Sequence, residues 1–174
     1  MMVMSIFLYV GAEVCMSSGI PLYLESQFGI DIAKFGLLGT GLFFTTLVIG
    51  RGLGGVILNW MKPKKFFMIT SVVSIVAILG LFTGIVEVAV VSVIFLGLGF
   101  ANIFPLVFSI TVDHMPEKTN ELSGLMVTAI VGGTFIPLLV GIVADFTSIL
   151  IGFVVPLLAL IYILWTALAN FKKA

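Results

Sequence analysis

Charge is the scarcest property of this sequence. Of its 174 residues only 9% are Asp, Glu, Lys or Arg, eight acidic and eight basic, against about 25% in an ordinary soluble domain. That is too little to cover a water-facing surface, which excludes a free soluble enzyme. Neither sign of charge is in excess, so nothing here neutralises a phosphate backbone and nucleic acid is excluded as a partner. One cysteine, Cys15, permits neither an internal disulfide nor a thiolate metal site. No motif calls for a metal or a cofactor. No Lys or Arg precedes Lys34, so the basic n-region of a signal peptide is missing.

What is present is apolar length. The hydrophobic set makes up 61% of the chain, and hydropathy separates into six runs near residues 3–25, 35–60, 66–86, 88–112, 122–144 and 149–170. Each reaches the ~20 residues that carry a helix across a bilayer. The charges collect in the breaks: Glu25, Asp31 and Lys34; Lys62, Lys64 and Lys65; Glu87; Asp113 to Glu121; Asp145; and Lys172 with Lys173. No low-complexity linker divides the chain, so residues 1–174 are expected to form a single six-helix transmembrane bundle in a lipid bilayer.

Because spans alternate in direction, Lys62, Lys64, Lys65, Lys118, Lys172 and Lys173 fall on one side and Lys34 alone on the other. The positive-inside rule then places both termini in the cytoplasm. Trp60 and Trp165 sit where cytoplasmic interfacial rings are expected. A span that starts at Met1 without a basic anchor reads as the interior of a longer protein.

Splitting the chain near Val86 gives two three-span halves of similar length. Gly11, Gly19 and Pro21 in the first span correspond to Gly97, Gly99 and Pro105 in the fourth. Gly50, Gly52, Gly54 and Gly55 in the second correspond to Gly132, Gly133, Pro137 and Gly141 in the fifth. Interrupted helices at matching places in two halves point to a 3+3 inverted repeat with a binding site near the midplane. The plainer alternative is that membrane helices use Gly and Pro for close packing, which suffices for Gly50/Gly54 and Gly80/Gly84.

Two ionisable residues fall inside the spans, where each costs roughly 2.5–3.5 kcal/mol on insertion scales. Glu13 lies about ten residues into the first span, or roughly 15 Å deep. Arg51 lies at comparable depth in the second, within reach of Glu13. The alternative for Arg51 is snorkelling toward the headgroups; for Glu13 that distance is too great, and a cavity position is expected. Spacing of four puts Tyr9 and Ser17 on the face of Glu13, and Asn102 shares a face with Ser109 in the fourth span. Carboxylate, amide and hydroxyl groups suit a polyhydroxylated solute, with Tyr9 or Phe104 covering its apolar face. Interhelical hydrogen bonding is the competing role for Ser17, Ser109 and Asn102. His114 reads as a loop residue and Cys15 as a small buried one.

Taken together, these runs resemble a known family. Phe7-Leu8-Tyr9-Val10-Gly11-Ala12-Glu13-Val14 resembles the start of the seventh helix in the fucose/galactose/glucose symporter family of the major facilitator superfamily. Gly50-Arg51 with Gly54 is similar to that family's eighth helix, and Phe104-Pro105-Leu106-Val107-Phe108-Ser109 to its tenth. Ile130-Val131-Gly132-Gly133, with Pro137, Gly141, Ala144 and Asp145, resembles its eleventh.

The resemblance implies an all-α carrier of twelve helices, of which this chain is the C-terminal half. The N-terminal six-helix half would come from the same longer chain or a separate one. It implies transport of a hexose such as fucose, glucose or galactose by alternating access, with a coupling proton or sodium ion, across a bacterial inner membrane. Glu13, Asn102, Tyr9 and Ser17 are the expected sugar contacts. Arg51, Gly132, Gly133, Pro105, Pro137 and Asp145 are the expected structural or gating positions. The family's coupling carboxylates lie largely in the other half, so Glu13 carries over as a cavity residue only. The alternative function is a structural or permease subunit of a larger complex without its own substrate site. An intramembrane serine protease is disfavoured because no base lies at the depth of Ser17 and Ser18.

Overall fold

In a computed structural model the described residues are 1–30 and 37–171, and among them six helical segments are long and apolar enough to cross a membrane. Asp31, Lys34, Lys172 and Lys173, which enter the loop-charge count, lie outside the described residues. The first span is one helix, α1 (Met2–Phe28). The second is α2 (Leu42–Ile57), entered through a π-helical turn at Leu37–Gly41, and the third is α3 (Pro63–Leu81). The fourth is broken into α4 (Val86–Phe100) and α5 (Ile103–His114). The fifth consists of α6 (Thr119–Thr128) and α7 (Gly132–Phe146) joined by a 3₁₀ turn at Ala129–Val131. A short α8 (Ile149–Gly152) leads into α9 (Val154–Phe171), the sixth span.

The observed spans differ from the hydropathy runs at their ends for local reasons. Hydropathy ends the first at Glu25, but the helix continues to Phe28 and stops where Gly29 turns left-handed at φ 64°, its N–H bonding the Glu25 carbonyl at 2.9 Å. The third starts earlier, at Pro63, because a proline at the first helical position gives up no hydrogen bond. His114 closes α5 rather than lying in a loop, its Nδ1 2.7 Å from the Ile110 carbonyl.

The packing repeats itself. α1 lies against α7 of the fifth span and α9 of the sixth; α4 lies against α2 of the second and α3 of the third. The third and sixth spans touch each other, and so do the first and fourth. Exchanging spans one, two and three for four, five and six therefore maps these contacts onto one another. Each half has an odd number of spans, so matching helices run in opposite directions and the repeat is inverted.

The glycines sit at the equivalent crossings. A Cβ on Gly11 would meet the Ile136 side chain and the Gly132 carbonyl, and one on Gly132 would strike the Phe7 carbonyl. In the other half a Cβ on Gly50 would meet Ala101 and Leu98, and one on Gly97 would strike Thr46 and the Phe43 carbonyl. Without a hydrophobic force between helices in lipid, backbones at contact distance supply the attraction. Paired glycines thus close the first span onto the fifth and the fourth onto the second.

Tyr23 adds a polar tie, its buried hydroxyl donating to the Leu81 carbonyl at 2.6 Å. That carbonyl belongs to the last turn of α3 and has no partner in its own helix. The second and fifth spans are the least buried, at 28% of each window against 61% in the fourth. Exposed Phe44, Val48, Leu53, Phe135, Leu138 and Ile142 lie on these two helices.

Candidate functional site

Two prolines break the hydrogen-bond ladders of the pseudo-equivalent first and fourth spans, and the polar site lies beside the second of them, Pro105. Proline has no N–H, so the carbonyl four residues before it loses its helical partner. In the fourth span Pro105 frees Ala101, and Arg51 Nε from α2 donates to that carbonyl at 3.3 Å. In the first span Pro21 frees Ser17, whose carbonyl accepts the Thr40 hydroxyl at 2.8 Å. A second-span side chain mends each broken ladder.

Arg51 is held at Nε by the Ala101 carbonyl and reaches Glu13 with its other end, Nη2 lying 3.9 Å from Oε1. It does not snorkel away from the site. One guanidinium so connects the first, second and fourth spans. The pair lines a cavity of about 490 Å³ together with Tyr9, Val10, Phe104, Pro105 and Ile130. Glu13 is mostly covered, at 18% side-chain exposure, while Arg51 is 54% exposed. At that exposure the pair contributes at most about 1 kcal/mol to stability, less than the cost of inserting either charge. Fold stability therefore does not account for the two charges.

Tyr9 backs the cavity. Its ring lies between Phe100 and Phe104, with centroids 5.6 Å and 6.4 Å away. Its hydroxyl is fully buried beside the Glu13 carboxylate and the Arg51 guanidinium, which act on it by hydrogen bonding as well as charge, at a geometry looser than a standard bond. The hydroxyl thus belongs to the polar cluster on the cavity wall. Phe104 continues the apolar wall by stacking on Phe108 at 6.4 Å and 12°.

Of the expected sugar contacts, the structure brings Tyr9 and Glu13 together and leaves Asn102 and Ser17 apart from them. Asn102 is 5% exposed and turns to the second span, its Nδ2 donating to the Gly50 carbonyl at 2.7 Å. Gly54 leaves the space that its side chain occupies. The Ser17 hydroxyl bonds back to the Val14 carbonyl at 3.0 Å, and Ser109 to Asp113 at 3.4 Å. Both choose a local partner on their own helix: Ser17 reaches back to the carbonyl of the previous turn, and Ser109 donates forward to the Asp113 carboxylate one turn on.

Among the gating positions, Arg51 and Pro105 line the cavity and Gly132 lies in the crossing of the first and fifth spans. Gly133 faces Val10 and Val14 in the same crossing. Pro137 lies within α7, and Asp145 is exposed near its end, with no ion pair to another described residue. Cys15 is buried against Ile136 and Val140. The cavity also uses Val10 and Ile130, which are apolar and carry no chemical signature. Thr40 was legible in principle, since Pro21 announces an orphan carbonyl at Ser17.

From this geometry Asn102→Ala is expected to weaken the fold by about 0.6–1.7 kcal/mol, the range for polar contacts between membrane helices. Thermal unfolding of the detergent-solubilised protein reads that loss. Ligand affinity at the cavity should hold, and its collapse in a variant of unchanged stability would return Asn102 to the list of contacts.

A bundle of two inverted three-span units, broken at its central helices around a polar cavity, is one half of a twelve-helix carrier fold. The chain belongs to the Major Facilitator Superfamily, whose family model matches residues 2–173. It is similar to a putative glucose/galactose transporter of Helicobacter pylori (strain J99 / ATCC 700824), 31% identical over 176 residues, covering 98% of this chain and 43% of the relative. The glucose/galactose transporter of Brucella abortus biovar 1 (strain 9-941) is 29% identical, covering 97% of this chain and 41% of its own length. The crystal structure of the Major Facilitator Superfamily transporter FucP in the outward conformation superimposes with a TM-score of 0.88 at 22% identity. That match covers 97% of this chain and 41% of FucP. The chain spans about two fifths of the length of the curated relatives it matches.

Proposed function

We propose that this chain forms the C-terminal six-span half of a secondary carrier for a hexose-class sugar, working by alternating access in the plasma membrane. The observation that carries the reading is the cavity itself. It joins a carboxylate–guanidinium pair, a buried tyrosine hydroxyl and a wall of aromatic rings. Charged and neutral hydrogen-bonding groups match sugar hydroxyls, and the Phe104 and Tyr9 rings match the C–H face of a pyranose. The relatives carrying the words glucose and galactose in their names support the substrate class.

On this reading the bundle binds and releases sugar without chemistry on it. The second and fifth spans, least buried and apolar outside, meet the N-terminal half, and rocking of one half against the other exposes the cavity to each side in turn. A proton or sodium ion drives accumulation. Glu13 holds substrate, and coupling rests with groups of the other half.

Counterflow of labelled glucose, galactose and fucose tests the reading in proteoliposomes. The chain joined to a matching N-terminal six-span half is expected to exchange at least one of these sugars, and the chain alone none. Exchange of none by the joined protein, when properly inserted, would overturn the substrate class. Exchange by the chain alone would overturn its role as a half.

A further inference from the structure

We propose that the groove between the second, third and fourth spans is a seat for an anionic phospholipid of the leaflet that Lys62, Lys64 and Lys65 face. These lysines line a cavity of about 600 Å³ together with Asp113 and His114. Lys62 is the N-cap of α3, and Lys64 and Lys65 lie in its first turn, where there is no acidic residue and no side-chain cap. Cations at that end oppose the helix dipole, which favours negative charge there. Helix stability therefore does not explain their position, and an anion bound there offsets their repulsion by the dipole. No carboxylate of the described residues forms an ion pair with them. Asp113 on the opposite wall accepts from the Ser109 hydroxyl, and the His114 ring is turned to the Ile110 carbonyl. Three lysines face one carboxylate.

Loop lysines by themselves would satisfy orientation in the membrane. What they do not require is the apolar groove that begins one turn further in. It has a volume of about 220 Å³ and is lined by Ile57 and Leu53 of α2, Ile69 and Val73 of α3, and Phe95 and Leu98 of α4. Helical spacing puts Lys62 and Lys65 on the same face of α3 as Ile69 and Val73. The lysines thus stand at the loop end of the helix whose following residues, Phe66 onward, line the apolar slot. Leu53, Ile69 and Phe95 are exposed along it, and Trp60, two residues before Lys62, is 82% exposed, as an interfacial ring is expected to be. A basic head site continued by an apolar slot fits a phosphodiester headgroup with its acyl chain. A free phosphate would use the first part only.

Native mass spectrometry of the full chain in detergent tests this with phosphatidylglycerol and phosphatidylethanolamine as probes. Phosphatidylglycerol is expected to be retained at least tenfold more strongly. A lysine near an anionic headgroup contributes about 1 kcal/mol, so K62Q/K64Q/K65Q should lose retention on the order of a hundredfold, and K62R/K64R/K65R should keep it. Leu53→Trp fills the slot without touching charge and is expected to weaken retention several-fold. It decides the matter if the triple glutamine variant inserts badly. Equal retention of the two lipids would overturn the proposal, as would unchanged retention in Leu53→Trp. Displacement of phosphatidylglycerol by equimolar glycerol 3-phosphate would show a free-anion site and overturn the lipid assignment.

Discussion

Glu13→Gln is expected to cut hexose uptake by the assembled carrier roughly ten- to hundredfold while the protein inserts and folds as before. The magnitude follows from the about 1.5–3 kcal/mol contributed by a hydrogen bond to a charged group. Glutamine keeps the size of the side chain and removes the charge. The stability effect should be small, because Arg51 sits 3.9 Å away with 54% of its side chain exposed and retains its bond to the Ala101 carbonyl. The two readouts therefore separate: uptake falls and thermal unfolding moves little. A double-mutant cycle with Arg51→Gln sharpens the test, since a coupling energy below about 1 kcal/mol in stability is what a half-exposed pair supplies. Uptake at the wild-type level in Glu13→Gln would remove the carboxylate from the site. A large loss of stability would make it a structural charge instead.

Gly132→Ala is expected to destabilise the bundle by about 1–3 kcal/mol, the cost of overpacking a close contact, and Gly132→Leu to prevent assembly of the first span on the fifth. The added Cβ falls on the Phe7 carbonyl, a backbone atom that moves only if the whole of α1 moves. Gly141, on the same helix, has nothing within 4 Å of a Cβ, so Gly141→Ala should be neutral or slightly stabilising through helix propensity. Thermal unfolding of both variants in one detergent reads the contrast. Equal midpoints for Gly132→Ala and wild type would mean that α1 and α7 do not approach as closely as described. The same comparison probes the repeat, because Gly50 holds the equivalent crossing against Ala101 and Leu98 and should respond in the same sense.

What the sequence determined by itself is everything set by composition and local pairing along one chain. Six apolar runs dictate a membrane bundle, because no other structure satisfies the backbone of such segments in lipid. The matched Gly and Pro positions of the two halves anticipated the inverted repeat, since Gly11, Gly50, Gly97 and Gly132 mark places where a backbone passes closely. Glu13 and Arg51 were legible because a charge at that depth is costly wherever it is put. Tertiary structure alone decided which way each polar group turns. Helical spacing places Tyr9, Glu13 and Ser17 on one face, yet Ser17 satisfies itself on the Val14 carbonyl while Tyr9 turns to Glu13 and Arg51. Asn102 is open to a ligand or to a neighbouring helix in the sequence, and only the second span placed against it shows the Gly50 carbonyl taking its amide. Arg51 had two partners open to it: Glu13 or the lipid headgroups. Only the carbonyl that Pro105 strips from its helix, brought alongside by the Gly50 and Gly97 crossing, aims it at Glu13. A periodicity names the face of a helix. The partner across that face is set by how closely another helix approaches.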